Sequence, residues 1–330
     1  MQWNFSGHAP IARKNKHMRI AFVGKGGSGK TTLAALFARH LAACGKSVLA
    51  IDADINQHLA QTLGFPIERL SSTPALGADI PFIKNFLRGA NPRIADAAMM
   101  MKTTPPGTGS RLISLNEPNP IFEKLVRERE GIRLIATGSF ADADLGVSCY
   151  HSKTGAVELL LNHLLDRKGE YVVVDMTAGA DAFASGLFAA FDLTVIVIEP
   201  TWKSAEVLDQ YRRYSEGFAT PILVVGNKIA DDADRIFAEK KGAETYLAES
   251  AWIKASERNG GRPLSELEAR NLAALITIRE KLDAIKKDWS GYLRLVHMFH
   301  RKNAASWANA SYGTDLSTQI DPDFTYPITD

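Results

Sequence analysis

The chain has 330 residues, of which 45% are hydrophobic and 23% charged, a composition typical of soluble globular proteins. This composition excludes a disordered, collagen-like or membrane protein, and the formal net charge of +2 is too small to attract nucleic acid or anionic lipid by overall charge. Its two cysteines, Cys44 and Cys149, exclude a disulfide framework and favour a cytoplasmic location. No stretch of the chain reaches the roughly 18 consecutive apolar residues of a transmembrane helix, so none is predicted.

Residues 1–17 are mostly polar and precede Met18, where the first strand pattern begins. Basic residues occur in this segment without a long apolar run after them, so the segment does not have the pattern of a signal peptide. We expect a flexible N-terminal arm, unless Met18 is the true start of the protein.

Strand and helix patterns alternate along most of the chain. A short apolar run at residues 18–24 is followed by glycines, by a helical pattern that stops at Gly45, and by a second strand at 47–52. Further apolar runs predict strands at 133–137, 171–175, 193–199 and 221–227, with helices such as 155–165 and 204–214 between most of them. Continuous Val and Ile runs indicate strands that are covered on both faces. The predicted fold class is therefore α/β, a doubly wound and mainly parallel sheet with helices on both faces.

The predicted domain at residues 18–262 contains an insert at about 65–131. Eight of the 14 prolines fall in this insert, so we expect a lid or a partner-binding segment there rather than part of the sheet. The three methionines at 99–101 either belong to such a surface or fill core. Residues 263–312 predict a C-terminal helical extension, with helices at 267–287 and from 289 to about 307. Residues 313–330 predict a polar tail.

Residues 24–31 match the pattern G-x-x-x-x-G-K-[ST] between a predicted strand and a predicted helix. Glycines allow successive backbone amides to converge on phosphate oxygens at a helix N-terminus. In this interpretation Lys30 contacts the β and γ phosphates of ATP, and the Thr31 hydroxyl is a ligand of Mg²⁺. An ordinary tight turn would require neither residue. The predicted nucleotide contacts of this loop are Gly24, Gly26, Gly27, Ser28, Gly29, Lys30, Thr31 and Thr32.

The segment from Lys25 to Thr32 resembles the deviant Walker A motif of the MinD/ParA superfamily of P-loop ATPases. That superfamily includes the nitrogenase iron protein, the arsenite and tail-anchor targeting ATPases, and the CooC-type nickel-insertion ATPases. The resemblance implies a homodimer that encloses two ATP molecules, with Lys25 reaching the nucleotide of the partner subunit. A cation at this position is suited to neutralise charge on a transferring phosphoryl group. The alternative for Lys25 is a solvated loop lysine.

Carboxylates end two of the predicted strands. Asp52 and Asp54 follow the second strand, and Asp175 ends a strand of the Walker B form, at the edge where α/β sheets bind ligands. The resemblance implies that Asp54 orients the attacking water, that Asp52 lies near the metal and that Asp175 holds Mg²⁺ through water. It also places Gly179 beside the γ phosphate. Ile55 replaces the proline that is usual in the family, which leaves this loop less rigid, and Asp54 is alternatively a helix N-cap.

Polar residues also follow two later strands. The resemblance implies that Asn227, followed by Lys228, hydrogen-bonds the adenine edge, because an amide supplies both a donor and an acceptor. The guanine-specific pattern N-K-x-D would need aspartate where this chain has Ala230, so adenine is favoured. By analogy with CooC-type sequences, Pro200 borders the base.

The segment Cys149-Tyr150-His151 is similar to CooC-type sequences, in which a C-x-C pair lies at the dimer interface and binds metal. One Cys and one His from each of two subunits would form a four-ligand site for Zn²⁺ or another borderline metal such as Ni²⁺. The alternative is a half-buried cysteine beside a histidine at a helix start. We expect Cys44 to lie in the core, on the apolar side of the first helix.

Several functions remain compatible with these motifs. The first is a Mg²⁺-dependent ATPase whose nucleotide state switches a protein client or a metal centre. The second is a ParA/MinD-like positioning ATPase, and a third is a regulatory nucleotide-binding module with little turnover. The acidic, proline-broken segment at 319–324 argues against membrane binding, and the scattered lysine pairs argue against nucleic acid. Amide-forming or kinase enzymes for small acids share the loop, but we find no motif for an acceptor site.

Overall fold

The computed structural model describes residues 18–66, 75–138, 150–177, 186–218, 220–259 and 262–327, and it leaves the side chains of residues 150–153 and 259 outside the description. Within these ranges eight strands form one sheet in the order β3-β4-β2-β5-β1-β6-β7-β8. All neighbouring strands are parallel except the pair β3 and β4. The strands are β1 (Met18–Gly24), β2 (Ser47–Ala53), β3 (Arg127–Arg129), β4 (Ile132–Ala136), β5 (Glu170–Met176), β6 (Leu193–Ile198), β7 (Ile222–Ile229) and β8 (Ala243–Ala248).

Helices cover both faces of this sheet, which confirms the predicted doubly wound α/β fold. Those in the described residues are α1 (Lys30–Ala43), α2 (Leu59–Thr62), α3 (Ile80–Arg88), α4 (Pro120–Leu125), α5 (Tyr150–Asn162), α6 (Trp202–Ser215), α7 (Asp232–Lys240), α8 (Ala251–Asn259), α9 (Ala269–Ala284), α10 (Trp289–Asn303) and α11 (Asn309–Tyr312), with a π-helical turn at Ala304–Ala308 between the last two. None of these helices is long and apolar enough to cross a bilayer.

Alternate side chains of the central strands point into two separate cores. Ile20 and Phe22 of β1 pack with α1 and α9 on one face. Ala21 and Val23 pack with α3, α5 and α10 on the other. Because successive residues of a strand face opposite sides, strands that are apolar at every position require cover on both faces.

The described part of the insert differs from the expected lid, because it packs on the sheet. Ile83 and Leu87 of α3 are fully buried in the second core, and β3 extends the sheet at its edge. Pro81 and Pro120 lie in the first turns of α3 and α4, where a proline costs no helical hydrogen bond. These two prolines therefore mark helix starts.

The segment after α11 is also packed, although its composition predicted a polar tail. Tyr326 is only 5% exposed, lies with its ring centroid 4.6 Å from that of Trp289, and donates a hydrogen bond to the Asn162 carbonyl. The Asp321 carboxylate accepts a hydrogen bond from the Thr108 amide at 2.8 Å. The polar residues of this segment thus satisfy backbone groups of the insert, while its few apolar residues enter the core.

A buried charge network joins β1 to α10 and to the residues just before it. The Arg19 side chain is fully buried and donates to the Asp166 carboxylate at 2.7 Å, and Lys287 contacts the same carboxylate at 2.6 Å. The Arg19 guanidinium also lies 5.3 Å from the ring centroid of Tyr292. These contacts fix α10 to the central strand.

Cys44 does not lie in the core as predicted. It is exposed and forms the C-cap of α1, because the helix ends at Ala43 and the chain then turns at Gly45 with a positive φ of 69°. Cys44 therefore lies just beyond the apolar face of α1, in contact with solvent.

Candidate functional site

The loop between β1 and α1 is closely packed against two other strands. A Cβ atom on Gly24 would lie 2.7 Å from the Val197 carbonyl oxygen, and one on Gly29 would lie 2.1 Å from Nδ2 of Asn227. Gly27 and Gly29 have φ values of 85° and 88°, in the left-handed region that L residues with side chains rarely adopt. The glycines at these positions therefore hold a backbone path that no larger residue follows without strain.

The loop carries a buried hydroxyl without a hydrogen-bond partner. Ser28 is fully buried, and its Oγ finds no partner among the described residues. Its backbone amide closes the turn by donating to the Lys25 carbonyl at 3.0 Å, and Lys25 is itself half-buried. An orphaned donor at a helix N-terminus that holds no acidic residue in its first turn fits a bound phosphate group.

Lys30 connects the carboxylates of two strands. Its Nζ forms an ion pair with Asp54 and lies 3.4 Å from Oδ1 of Asp175. Burial alone would lower the pKa of Lys30, but the negative charges of Asp175 and Asp54 outweigh it and raise the pKa above its ordinary value. Lys30 is therefore a permanent cation at the start of α1.

Thr31 and Asp175 form the second pair of this cluster. The Thr31 hydroxyl donates to Oδ2 of Asp175 at 2.6 Å. Burial raises the pKa of Asp175 to about 6, although the Lys30 charge and the Thr31 hydrogen bond oppose the shift. A hydroxyl beside a carboxylate is a typical donor set for Mg²⁺, which is held in proteins by one or two carboxylates with the phosphates and waters supplying the rest.

Asp52 is buried directly beside Asp175, because the two residues are paired in the register of β2 and β5. Its Oδ2 accepts the Leu59 amide at 2.9 Å and its Oδ1 the Asp54 amide at 3.3 Å. Burial, followed by the charge of Asp175, raises the pKa of Asp52 to about 7. In these contacts Asp52 fixes the backbone between β2 and α2.

The loop after β2 is ordered without the family's proline. Oδ1 of Asp54 accepts the Asn56 amide at 2.9 Å, and Gln57 has a φ of 50° and donates to the Thr137 hydroxyl at 3.0 Å. Ile55 is 39% exposed on this loop. Hydrogen bonds therefore replace the rigidity that proline would supply.

Beside the loop lies an open cleft of about 520 Å³, within the range of small-molecule sites. Its walls come from the start of α1, from α2, from the end of β7 and from the segment between β8 and α8. The residues that line it are Gly27, Gly29, Lys30, Thr31, Thr32, Leu33, His58, Gln61, Thr62, Asn227, Lys228, Leu247, Ala248, Glu249, Ser250, Ile253, Lys254 and Glu257.

Asn227 and Lys228, which were predicted near the adenine base, both hydrogen-bond the loop between β1 and α1. Nδ2 of Asn227 donates to the Ser28 carbonyl at 2.7 Å. Lys228, with a φ of 59°, donates to the Gly27 carbonyl at 2.7 Å and forms an ion pair with Glu199. Both residues line the cleft, whereas Pro200 is not among its lining residues.

The wall between β8 and α8 was not predicted from the sequence. Ser250 caps α8, since its Oγ accepts the Ile253 amide at 2.9 Å, and Glu257 accepts the Thr32 hydroxyl at 2.6 Å. Strand β8 follows a lysine-rich helix end and has only six residues. A serine three residues before the Ile253 amide was the available signal for a helix start.

Three predicted residues cannot be placed in this site. Gly179 and Cys149 lie outside the described residues, and His151 lies in α5 with its side chain outside the description. Nowhere among the described residues is a group of three or more His, Cys, Asp or Glu side chains arranged to hold a metal ion.

Comparisons with known proteins show the family to which the chain belongs. Residues 20–305 match the family model described as the CobQ/CobB/MinD/ParA nucleotide binding domain. The carbon monoxide dehydrogenase accessory protein CooC of Rhodospirillum rubrum is 33% identical over 218 residues, which cover 66% of this chain and 76% of that protein.

Two solved structures share the fold at low sequence identity. A ParA family ATPase from Chlorobium tepidum superposes with a TM-score of 0.55 at 17% identity, covering 81% of this chain and 100% of that one. The septum site-determining protein MinD from Pyrococcus horikoshii, complexed with Mg-ADP, gives 0.54 at 16% identity, covering 81% and 96%.

Proposed function

The chain belongs to the CobQ/CobB/MinD/ParA family and is a P-loop ATPase, and from this premise we propose that it acts as a Mg²⁺-dependent, homodimeric nucleotide switch for the maturation of a metal centre. The observation that carries the proposal is the cluster of Lys30, Thr31, Asp54 and Asp175 at the start of α1, directly beside the cleft. Here a cation, a hydroxyl and two carboxylates meet at one edge of the sheet, as phosphoryl transfer to water requires.

Each member of the cluster has a separate task in this proposal. Lys30 binds the β and γ phosphates, and these anions compete with Asp54 for its ammonium group. Once Lys30 is engaged by phosphate, Asp54 is available to hold and orient the attacking water. Thr31 and Asp175 would hold Mg²⁺, which would neutralise charge on the phosphates. The half-buried Lys25 serves the nucleotide of the partner subunit.

Asn227 supports a preference for adenine. Its Nδ2 is used by the Ser28 carbonyl, whereas its Oδ1 accepts no hydrogen bond from the described residues. This oxygen is suited to the exocyclic amino group of adenine and opposes the carbonyl that guanine presents at the same position. Lys228 is engaged by the Gly27 carbonyl and Glu199, so it acts on the loop rather than on the base.

The role in metal-centre maturation rests on the likeness to an accessory protein of carbon monoxide dehydrogenase. In this role Cys149 and His151 of two subunits bind Zn²⁺ or Ni²⁺, and the nucleotide state sets the distance between the subunits. A client protein would receive the metal or be released when ATP is hydrolysed.

Titration calorimetry tests the nucleotide part of this proposal. The reduced full chain should bind ATP saturably in the presence of Mg²⁺, with GTP at least about tenfold weaker because one hydrogen bond is lost and replaced by opposed acceptors. Absence of saturable heat with ATP would contradict the site. Equal affinity for ATP and GTP would contradict only the proposed role of Asn227 and would leave the nucleotide site in place.

A further inference from the structure

A second cleft, which shares no lining residue with the nucleotide cleft, lies where the insert, α5 and the end of α10 with its π-helical turn meet. It has a volume of about 320 Å³, at the lower end of the range for small-molecule sites. Ile80 and Lys84 of α3, Lys102, the middle of α5 and Trp307 line it. Two of its three walls come from the insert and the C-terminal extension.

The cleft is apolar with two cations at its rim. Ile80, Leu159 and the Trp307 indole supply apolar surface, and the charged side chains among the described lining residues are Lys84 and Lys102. Lys84 donates to the Ala98 carbonyl at 3.3 Å, which uses one of its three N–H donors. No described lining residue carries a carboxylate, so the charge of the cleft is positive.

A buried carboxyl group behind the cleft neutralises this charge only in part. Burial raises the pKa of Glu158 to about 7, although the charge of Lys102 opposes the shift, and Oε2 of Glu158 has no hydrogen-bond partner among the described residues. Glu158 is therefore partly protonated at neutral pH.

The backbone around Trp307 is unusual. Trp307 lies in the π-helical turn Ala304–Ala308, a conformation that is rare and often occurs at functional sites. Its ring remains 49% exposed while its neighbours Ala304 and Ala308 are buried against Met101 of the insert. The turn thus anchors its small residues in the core and presents the indole to the cleft.

We propose that this cleft binds a small aromatic carboxylate. The two ammonium groups would hold the carboxylate by charge-assisted hydrogen bonds, and the flat ring would lie between Trp307 and Leu159. The site is separate from the nucleotide cleft, so it does not rest on the proposed function.

The anionic dye 1-anilinonaphthalene-8-sulfonate serves as the probe, because it joins a flat apolar body to one negative charge. We expect one dye per chain, energy transfer from Trp307 to the dye, and displacement of the dye by 2-naphthoate. Neutral 1-anilinonaphthalene should bind about tenfold more weakly than the sulfonate, since it forgoes the charge-assisted contacts.

Two variants and a matched control locate the dye. The double variant Lys84→Gln/Lys102→Gln should weaken binding about tenfold or more, and Trp307→Phe should remove most of the energy transfer. The control Lys286→Gln/Arg294→Gln removes two cations from a different cleft of about 450 Å³, beside Met298, and should leave affinity unchanged. Circular dichroism melting shows whether each variant folds.

Several results would overturn the proposal. These are wild-type affinity in the folded double variant, loss of binding in the control, equal binding of the neutral dye, or no displacement by 2-naphthoate. If the double variant does not fold, the neutral dye and the competitor still decide the outcome, and unchanged energy transfer in Trp307→Phe would also overturn the proposal.

Discussion

At the scale of single residues, the proposed function depends on Lys30, which contacts two carboxylates and is proposed to bind the phosphates of ATP. Lys30 is 7% exposed and contacts both Asp54 and Asp175, so its cationic charge is fixed by the fold before any nucleotide binds. This arrangement makes its removal costly in two ways. The phosphates lose their main cation, and two buried carboxylates lose their counter-ion.

We therefore expect Lys30→Ala to lower ATP hydrolysis by about 100-fold or more, as removal of a preorganised charge partner does in other active sites. Steady-state phosphate release measures this change, with Lys240→Ala, an exposed lysine of α7, as the matched control. Unchanged turnover in Lys30→Ala would show that the loop does not bind the triphosphate.

Asp54→Ala should separate binding from hydrolysis. It removes the carboxylate proposed to orient water and also frees Lys30 for phosphate, so ATP affinity should be kept or raised while turnover falls about 100-fold. Light scattering with ATP and Mg²⁺ should then detect a persistent dimer. A monomer with normal turnover would contradict the proposed roles of Asp54 and of dimerisation.

At the scale of elements, a buried histidine joins α10, the insert and the C-terminal segment. Nε2 of His300 donates to the Leu316 carbonyl at 2.9 Å, and Nδ1 lies 3.4 Å from the Thr103 hydroxyl. Burial lowers the pKa of His300 to about 4, and the nearby His297 and Arg301 add to this shift. The ring is therefore neutral in the folded protein at neutral pH, and the folded state disfavours its protonation.

The contribution of His300 to stability should consequently fall in mild acid. The pKa of histidine in the unfolded chain is about 6.5, so between that value and pH 4 the unfolded state binds a proton that the folded state does not. From pH 7 to pH 5 this loss amounts to about 2 kcal/mol through His300. Urea unfolding at both pH values measures it: on going from pH 7 to pH 5, the change in the free energy of unfolding should be more favourable in His300→Gln than in the wild type by that amount. An equal change in both proteins would refute the assignment.

At the scale of the whole molecule, the proposed maturation role requires that two subunits share a metal. Metal analysis of the reduced protein, with and without ATP, should find about one Zn²⁺ or Ni²⁺ per two chains, because each subunit supplies one Cys and one His. Cys149→Ser should lose the metal while ATP binding is kept, and Cys44→Ser is the matched control at an exposed cysteine. Metal that persists in Cys149→Ser, or its absence from the wild type, would contradict the maturation role.

The amino-acid sequence by itself determined the parallel sheet and the phosphate loop, because both depend on local patterns. Strands covered on both faces are apolar at every position, and β1 begins and ends at the predicted residues Met18 and Gly24. The glycines and Lys30 of the phosphate loop are predictable because they follow one another within a single contiguous motif. The division into a domain at 18–262 and an extension at 263–312 remains a prediction.

Only the tertiary structure showed where the insert, the C-terminal residues after α11 and the segment between β8 and α8 pack. The apolar residues of α3 are buried against strands that lie far along the chain, such as β5 and β6. Tyr326 is likewise buried by its contact with Trp289. Asn227 similarly meets Ser28 across a separation of 199 residues. Contacts between distant segments leave no periodic pattern in either segment, so local physical rules predict the elements but not which of their surfaces meet.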